Sequence, residues 1–187
     1  MTTKEDYDRD FEQKIEKHKE LKVYDAFILK RLQKSGKLKI LVCGCGGGEL
    51  ARVLSLAGHD VTAIDISEKA IEHAKKVIYP AGYVAKVNWI CADLEDEQTW
   101  EFITTAHPGG FDVAIISEVL EHLYRPFYVL SELERTCRDI IWTTPWQNRA
   151  GDNLHLHWFD YEPIYLDGFG INPVFALVEF RKNWVAK

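Results

Sequence analysis

Ile40-Leu41-Val42-Cys43-Gly44-Cys45-Gly46-Gly47-Gly48-Glu49-Leu50 joins an apolar run, a glycine loop and the first turn of an amphipathic segment. The run from Leu38 to Cys43 is short, apolar and closed by glycine, the pattern of a strand buried on both faces of a parallel sheet. Behind the glycines, Leu50, Val53, Leu54 and Ala57 recur at i, i+3, i+4 and i+7, so a helix opens directly from the loop and stops near Gly58. Glycines between a strand and a helix let a backbone approach a ligand closely. They also leave amide groups exposed at the positive end of the helix.

Outward from this unit the alternation repeats. Val61 to Ile64 reads as a second strand and Ser67 as a helix N-cap, followed by a helix with Ala70, Ile71, Ala74, Val77 and Ile78 on one face, ending before Pro80. Lys86 to Cys91 reads as strand three, Thr99 to Ala106 as a helix, and Pro108-Gly109-Gly110 as a turn into strand four, Phe111 to Ser117. A helix opening at Pro126 carries Val129, Leu130 and Leu133 and leads to strand five, Ile140 to Thr143. Upstream, residues 10–34 read as one helix. Downstream come a polar stretch from Pro145 to Asn153, a short helix near Tyr161 to Leu166, and two short antiparallel strands about Arg181-Lys182-Asn183. The expected fold is α/β: a single doubly wound domain with a mostly parallel sheet of about seven strands, an antiparallel edge hairpin and helices on both faces. Residues 1–37 are expected to form an N-terminal helical cap on a domain spanning 38–187.

The 187 residues suffice for one apolar core without metal or disulfide support. The four cysteines, Cys43, Cys45, Cys91 and Cys137, have neither a disulfide pattern nor zinc spacing and read as reduced, buried small residues. No apolar run is long enough to span a membrane, and the polar start lacks a secretory core, so a cytoplasmic protein without a membrane partner is expected. The net charge of −6 argues against broad phosphate-driven binding of nucleic acid, though the first 39 residues hold 11 Lys and Arg against 8 Asp and Glu.

Asp65 closes strand two nineteen positions after Gly46, where a carboxylate can accept from both hydroxyls of a ribose. A dinucleotide fingerprint needs a third glycine where this chain has Glu49; the spacing is instead Gly44-x-Gly46-x-Gly48. An acidic residue at the helix start also disfavours a pyrophosphate, which leaves a nucleoside without phosphates as the better fit.

These residues resemble the first two motifs of the class I, Rossmann-like S-adenosylmethionine-dependent methyltransferases: Ile40 to Gly48, then Val61 to Ser67. Cys91-Ala92-Asp93-Leu94 resembles the motif that meets the adenine, and Phe111 to Leu123 resembles the fourth motif, beside the methionine moiety and the methyl group. The resemblance implies a methyltransferase using S-adenosylmethionine and releasing S-adenosylhomocysteine. It implies cofactor contacts at Gly44, Cys45, Gly46, Gly48, Asp65, Ile66, Asp93, Leu94 and Glu118, with Tyr7 or Tyr24 closing over them. The chain departs from the family at Val42, where an acidic residue often helps to hold the methionine amino group; loop carbonyls or Glu118 are the substitutes.

Methyl transfer to a hydroxyl or a protonated amine needs a base. The titratable residues at the carboxyl ends of strands four and five are Glu121, His122, His155 and His157, the catalytic candidates. No Asn-Pro-Pro-Tyr-type signature follows strand four, which favours an oxygen acceptor, on a small or tethered molecule. With no insertion between the strands and almost no cap, the acceptor site is expected to be open, which leaves room for a partner subunit or a second copy. Two other readings stay open. Glu118, Glu121, His122 and His157 could hold a divalent metal, as in the resembling small-RNA 3′-terminal 2′-O-methyltransferases, with an RNA end as partner. Alternatively, Val42 could mark a regulatory protein that binds the cofactor and transfers nothing.

Overall fold

The computed structural model describes residues 3–15, 21–77, 85–145 and 175–181. Strands β1 (Lys39–Cys43), β2 (Asp60–Asp65), β3 (Val87–Cys91), β4 (Phe111–Ser117) and β5 (Cys137–Pro145) form a parallel sheet, and β6 (Phe175–Arg181) runs antiparallel to β5 at one edge. The order is β3-β2-β1-β4-β5-β6. Parallel neighbours need crossovers, and helices supply them: α3 (Glu49–Leu56), α4 (Glu68–Lys76), α5 (Glu97–Ala106) and α6 (Pro126–Thr136). The order reverses between β1 and β4, which opens a crevice at their carboxyl ends.

Alternation along each strand divides the core in two. Leu41 and Cys43 of β1, with Ala114 and Ile116 of β4, pack under Trp100 and Ile103 of α5 and Val129 and Leu133 of α6. Ile40 and Val42, with Val113 and Ile115, pack under α3 and a helix preceding β1. Period-two patterning on a buried strand thus sends alternate residues to opposite helical layers.

Two differences from the sequence expectation concern the ends. The single helix expected over 10–34 is two, α1 (Lys4–Lys14) and α2 (Val23–Leu32). Local capping explains both starts: Thr3 and Asp6 form a capping box, and Asp25 accepts from the Lys22 amide at 2.7 Å. The described sheet has six strands where about seven are expected; Arg181 of the turn expected at Arg181-Lys182-Asn183 is the last residue of β6, and 182–183 and the short helix near 161–166 lie outside the described residues. The helix expected to carry Val77 and Ile78 ends at Lys76, Val77 being extended. Among the described residues no helix is long and apolar enough to cross a membrane. The cysteines are all free; Cys43 and Cys137 are buried as expected, but Cys45 is only half-buried and Cys91, which ends an edge strand, is exposed.

Candidate functional site

The glycine loop is organised from β2. Asp65 accepts from the Gly46 amide at 2.7 Å through one oxygen and from the Ser67 amide at 2.9 Å through the other. Burial raises the Asp65 carboxyl, and the two amide donors act against that rise. An ionised carboxylate has about four lone-pair sites, so two remain for a ligand. Gly44 has φ +65°, and a Cβ there would lie 2.2 Å from Val119 Cγ2. Gly48, with φ +82°, is the N-cap of α3, and a Cβ would lie 2.5 Å from the Trp89 ring.

Around this loop lies a cavity of about 840 Å³ at the carboxyl ends of β1 to β4. Gly44, Gly46, Asp65, Ile66, Asp93, Leu94 and Glu118 line it, and so does His122. Gly48 and Cys45 do not: Gly48 is turned toward Trp89 and Ala74 inside the fold, and the Cys45 amide donates to Ile64 O. Glycine spacing alone cannot separate a wall residue from a packing residue.

Glu49 is not a bare charge at the mouth of α3. It pairs with Arg52, which is 1% exposed and also donates to Gly47 O at 2.8 Å and Ala74 O at 3.1 Å. The repulsion of a pyrophosphate expected from Glu49 is therefore largely cancelled within the protein. The bulk of its side chain and the missing third glycine still separate this loop from a dinucleotide cradle.

On the β4 side, Glu118 has φ 54°, left-handed without being glycine, a costly conformation. β5 holds it there. Its amide donates to Thr143 O and its carboxylate accepts from Thr143 Oγ1, both at 2.9 Å. Burial pushes its carboxyl up to about 7, opposed by the Thr143 hydroxyl and aided by the negative charge of Asp25. Beyond it, Leu120–His122 form a 3-10 turn. Glu121 is buried with its carboxylate 4.0 Å from His122 Nε2, and it does not reach the cavity wall. His155 and His157 lie outside the described residues. Among the described residues no group of three or more His, Cys, Asp and Glu could hold a metal ion.

The remaining walls carry residues with no motif to mark them. α1 contributes Tyr7, Asp10 and Phe11. It is tied to α4 through Asp8, which accepts from Ser67 Oγ at 2.6 Å and the Lys69 amide at 3.1 Å, and through Lys4, 2.8 Å from Glu68. Burial, reinforced by Glu95, Asp93 and Asp65, pushes the Tyr7 hydroxyl up to about 12. Tyr24 is half-buried and does not line the cavity. Glu95, just after β3, accepts from the Tyr124 amide at 3.1 Å and from that of Arg125, clamping the loop after β4 to the loop after β3. A pairing across twenty-nine or thirty residues leaves no local signal in the sequence.

A family model described as a methyltransferase domain matches residues 41–139. Over 104 residues the chain is 37% identical to the ubiquinone biosynthesis O-methyltransferase of Thiobacillus denitrificans, covering 56% of this chain and 41% of that one. Over 120 residues it is 32% identical to the protein of the same name from Chromobacterium violaceum, covering 64% and 46%. The chain spans less than half the length of these curated relatives. Among solved structures, the magnesium protoporphyrin IX methyltransferase of Synechocystis PCC 6803 with bound S-adenosylhomocysteine superposes with a TM-score of 0.50 at 25% identity, covering 67% of this chain and 54% of that one.

Proposed function

From the premise that the chain belongs to the methyltransferase-domain family, matched over slightly more than half its length, we propose that it is an S-adenosylmethionine-dependent O-methyltransferase acting on a small or tethered acceptor. The observation that carries the reading is the cradle at β1 and β2. A loop with no room for a Cβ at Gly44 is held by a half-buried carboxylate, Asp65, that keeps acceptor capacity toward the cavity. A nucleoside with vicinal hydroxyls fits this donor set. When bound, S-adenosylmethionine supplies an electrophilic methyl group on a sulfonium.

The chain's own residues divide the remaining work. Gly44 and Gly46 admit the ligand against the backbone, Asp65 accepts from the ribose hydroxyls, and Asp93 with the backbone of Ile66 and Leu94 holds the adenine. Glu118 faces the amino-acid end. For a hydroxyl acceptor a proton must leave during transfer, and His122 on the cavity wall takes it, with the Glu121 carboxylate 4.0 Å from its Nε2. Residues 1–37 act as a cap, a role supported by Tyr7, Asp10 and Phe11 on the wall and by the tie from Asp8 to Ser67. The oxygen acceptor follows the names of the relatives, both O-methyltransferases.

Calorimetric titration with S-adenosylmethionine, S-adenosylhomocysteine and NAD, followed by transfer of a tritiated methyl group to a panel of small hydroxyl-bearing acceptors, tests the reading. Micromolar binding of both sulfur nucleosides, no binding of NAD and label in at least one hydroxyl acceptor are expected. Failure of both sulfur nucleosides to bind overturns it.

A further inference from the structure

Among the described residues Glu118 is the only non-glycine residue with a positive φ, at 54°. A left-handed backbone disfavours any side chain, so the surroundings must impose it. They do so through a single residue of β5. Ser117 closes the β4 ladder opposite Thr143, and Glu118 turns back onto that same partner. Its amide donates to Thr143 O, and Thr143 Oγ1 donates to Glu118 Oε1, both at 2.9 Å. Thr143 is itself fixed. It is fully buried, in a strand paired on both sides, with Ser117 of β4 and Leu177 of β6 in register with it.

The pinning reaches the cradle in two ways. The carboxylate lines the cavity, and of its roughly four lone-pair sites the Thr143 hydroxyl takes one, leaving the others to a ligand. The backbone carries Val119 directly behind it, whose Cγ2 stands 2.2 Å from where a Cβ on Gly44 would lie. Burial disfavours the ionised form of Glu118, and the Thr143 hydroxyl, by donating to it, works the other way.

Place along the crevice says which part of a ligand Glu118 meets. The strand order β3-β2-β1-β4 puts Asp93 on one side of Asp65 and Glu118 on the other, beyond Gly44. With a ribose at Asp65 and a base toward Asp93, Glu118 receives the opposite end of the nucleoside. In the proposed cofactor that end carries an α-ammonium. β1 offers no acid to meet it, since Val42 is apolar and buried.

We propose that Thr143 is a positioning residue that, by pinning the Glu118 carboxylate, gives the pocket its preference for ligands bearing an amino-acid ammonium. The inference rests on the cofactor reading above. Glu118 makes the contact; Thr143 decides where the carboxylate stands.

Two ligands separate the ammonium from the rest of the nucleoside. S-adenosylhomocysteine carries it, and 5′-methylthioadenosine lacks the whole amino-acid end. Thr143→Val keeps the branched shape and removes the donor. In calorimetry it is expected to weaken S-adenosylhomocysteine about fivefold and methylthioadenosine less than about twofold. Thr143→Ser restores the hydroxyl and is expected to bring both affinities within about twofold of wild type. In a Glu118→Gln background the valine substitution is expected to cost S-adenosylhomocysteine little more, because its effect runs through the carboxylate. Should the valine variant not fold, Thr143→Cys, a weak donor, replaces it, with the same selectivity expected at smaller size. Equal losses for both ligands, no loss for either, or an undiminished loss in the Glu118→Gln background overturns the proposal while leaving the cofactor reading intact. If the wild-type protein binds neither nucleoside, the cofactor reading falls and the proposal with it.

Discussion

The Asp65 carboxylate receives the Gly46 amide at 2.7 Å, so the side chain that ends β2 fixes the backbone that ends β1. The acid is therefore structural before it is a ligand contact. It orders the loop with one oxygen, anchors Ser67 at the start of α4 with the other, and presents its remaining lone pairs to the cavity. Asp65→Ala removes all three. Affinity for S-adenosylhomocysteine should fall at least tenfold, and hydrogen exchange at the Gly46 and Ser67 amides should accelerate, each charge-assisted bond being worth about 1.5–3 kcal/mol. Slow exchange retained at Gly46 would show that the loop orders itself without the carboxylate.

Gly44 tests the cradle by steric means. With φ +65° and Val119 Cγ2 2.2 Å from where a Cβ would stand, Gly44→Ala meets both backbone strain and a clash. The strain alone is about 1–2 kcal/mol. Pairing it with Val119→Ala removes the clash and leaves the strain. Thermal unfolding should therefore show a loss in the single variant that is partly recovered in the double, while nucleoside affinity stays low in both, because the added methyl occupies the cavity wall.

Much of this is legible in the sequence. β1, the glycine loop, Asp65 and the N-cap at Ser67 are local patterns within a single βα unit, and alternating apolar strands announce which way the sheet is built. The fold could be read because each unit is specified by neighbours a few residues apart. What escaped was set by long-range pairing: the Glu95 clamp on the 124–125 loop, the Asp8 tie to Ser67, and the strained Glu118 held by Thr143 twenty-five residues away. Glu49 misleads for a different reason: its partner Arg52 is only three residues on, but nothing in the local pattern shows that the guanidinium is buried there. The break between α1 and α2 does not show in the continuous apolar period; the start of α2 is set by the Lys22 amide donating to the Asp25 carboxylate.

Arg52 should be the costliest polar residue to remove. Its guanidinium satisfies Gly47 O, Ala74 O and Glu49 while itself 1% exposed, so Arg52→Met leaves two carbonyls and a carboxylate without it. Losing one partner of a buried pair is worth about 3–5 kcal/mol. Urea unfolding should report a loss on that scale, and Arg52→Met with Glu49→Gln should recover a portion by removing the orphaned charge.

His122 separates binding from chemistry. On the proposed reading, His122→Ala lowers kcat by about 10²–10⁴ for a hydroxyl acceptor and leaves the dissociation constant of S-adenosylhomocysteine within a few-fold. A loss confined to nucleoside affinity, with turnover at saturation unchanged, would instead make His122 part of the cofactor wall.

Asp25 makes an opposite demand on stability. Its folded carboxyl stands at about 6 against an ordinary 3.8, raised chiefly by burial and further by Glu49. The folded state therefore holds its proton through a range in which the unfolded chain has released it. Any stability tied to that proton is present in full below about pH 4 and is lost as pH rises through about 6. Asp25→Asn imitates the protonated form at every pH. The melting temperatures of variant and wild type should nearly coincide near pH 4, separate between pH 4 and 6, and above that hold a gap of a few degrees in favour of the variant, about 1–3 kcal/mol. A variant less stable than wild type at pH 7.5 would mean that the carboxylate earns its place by holding α2 in register.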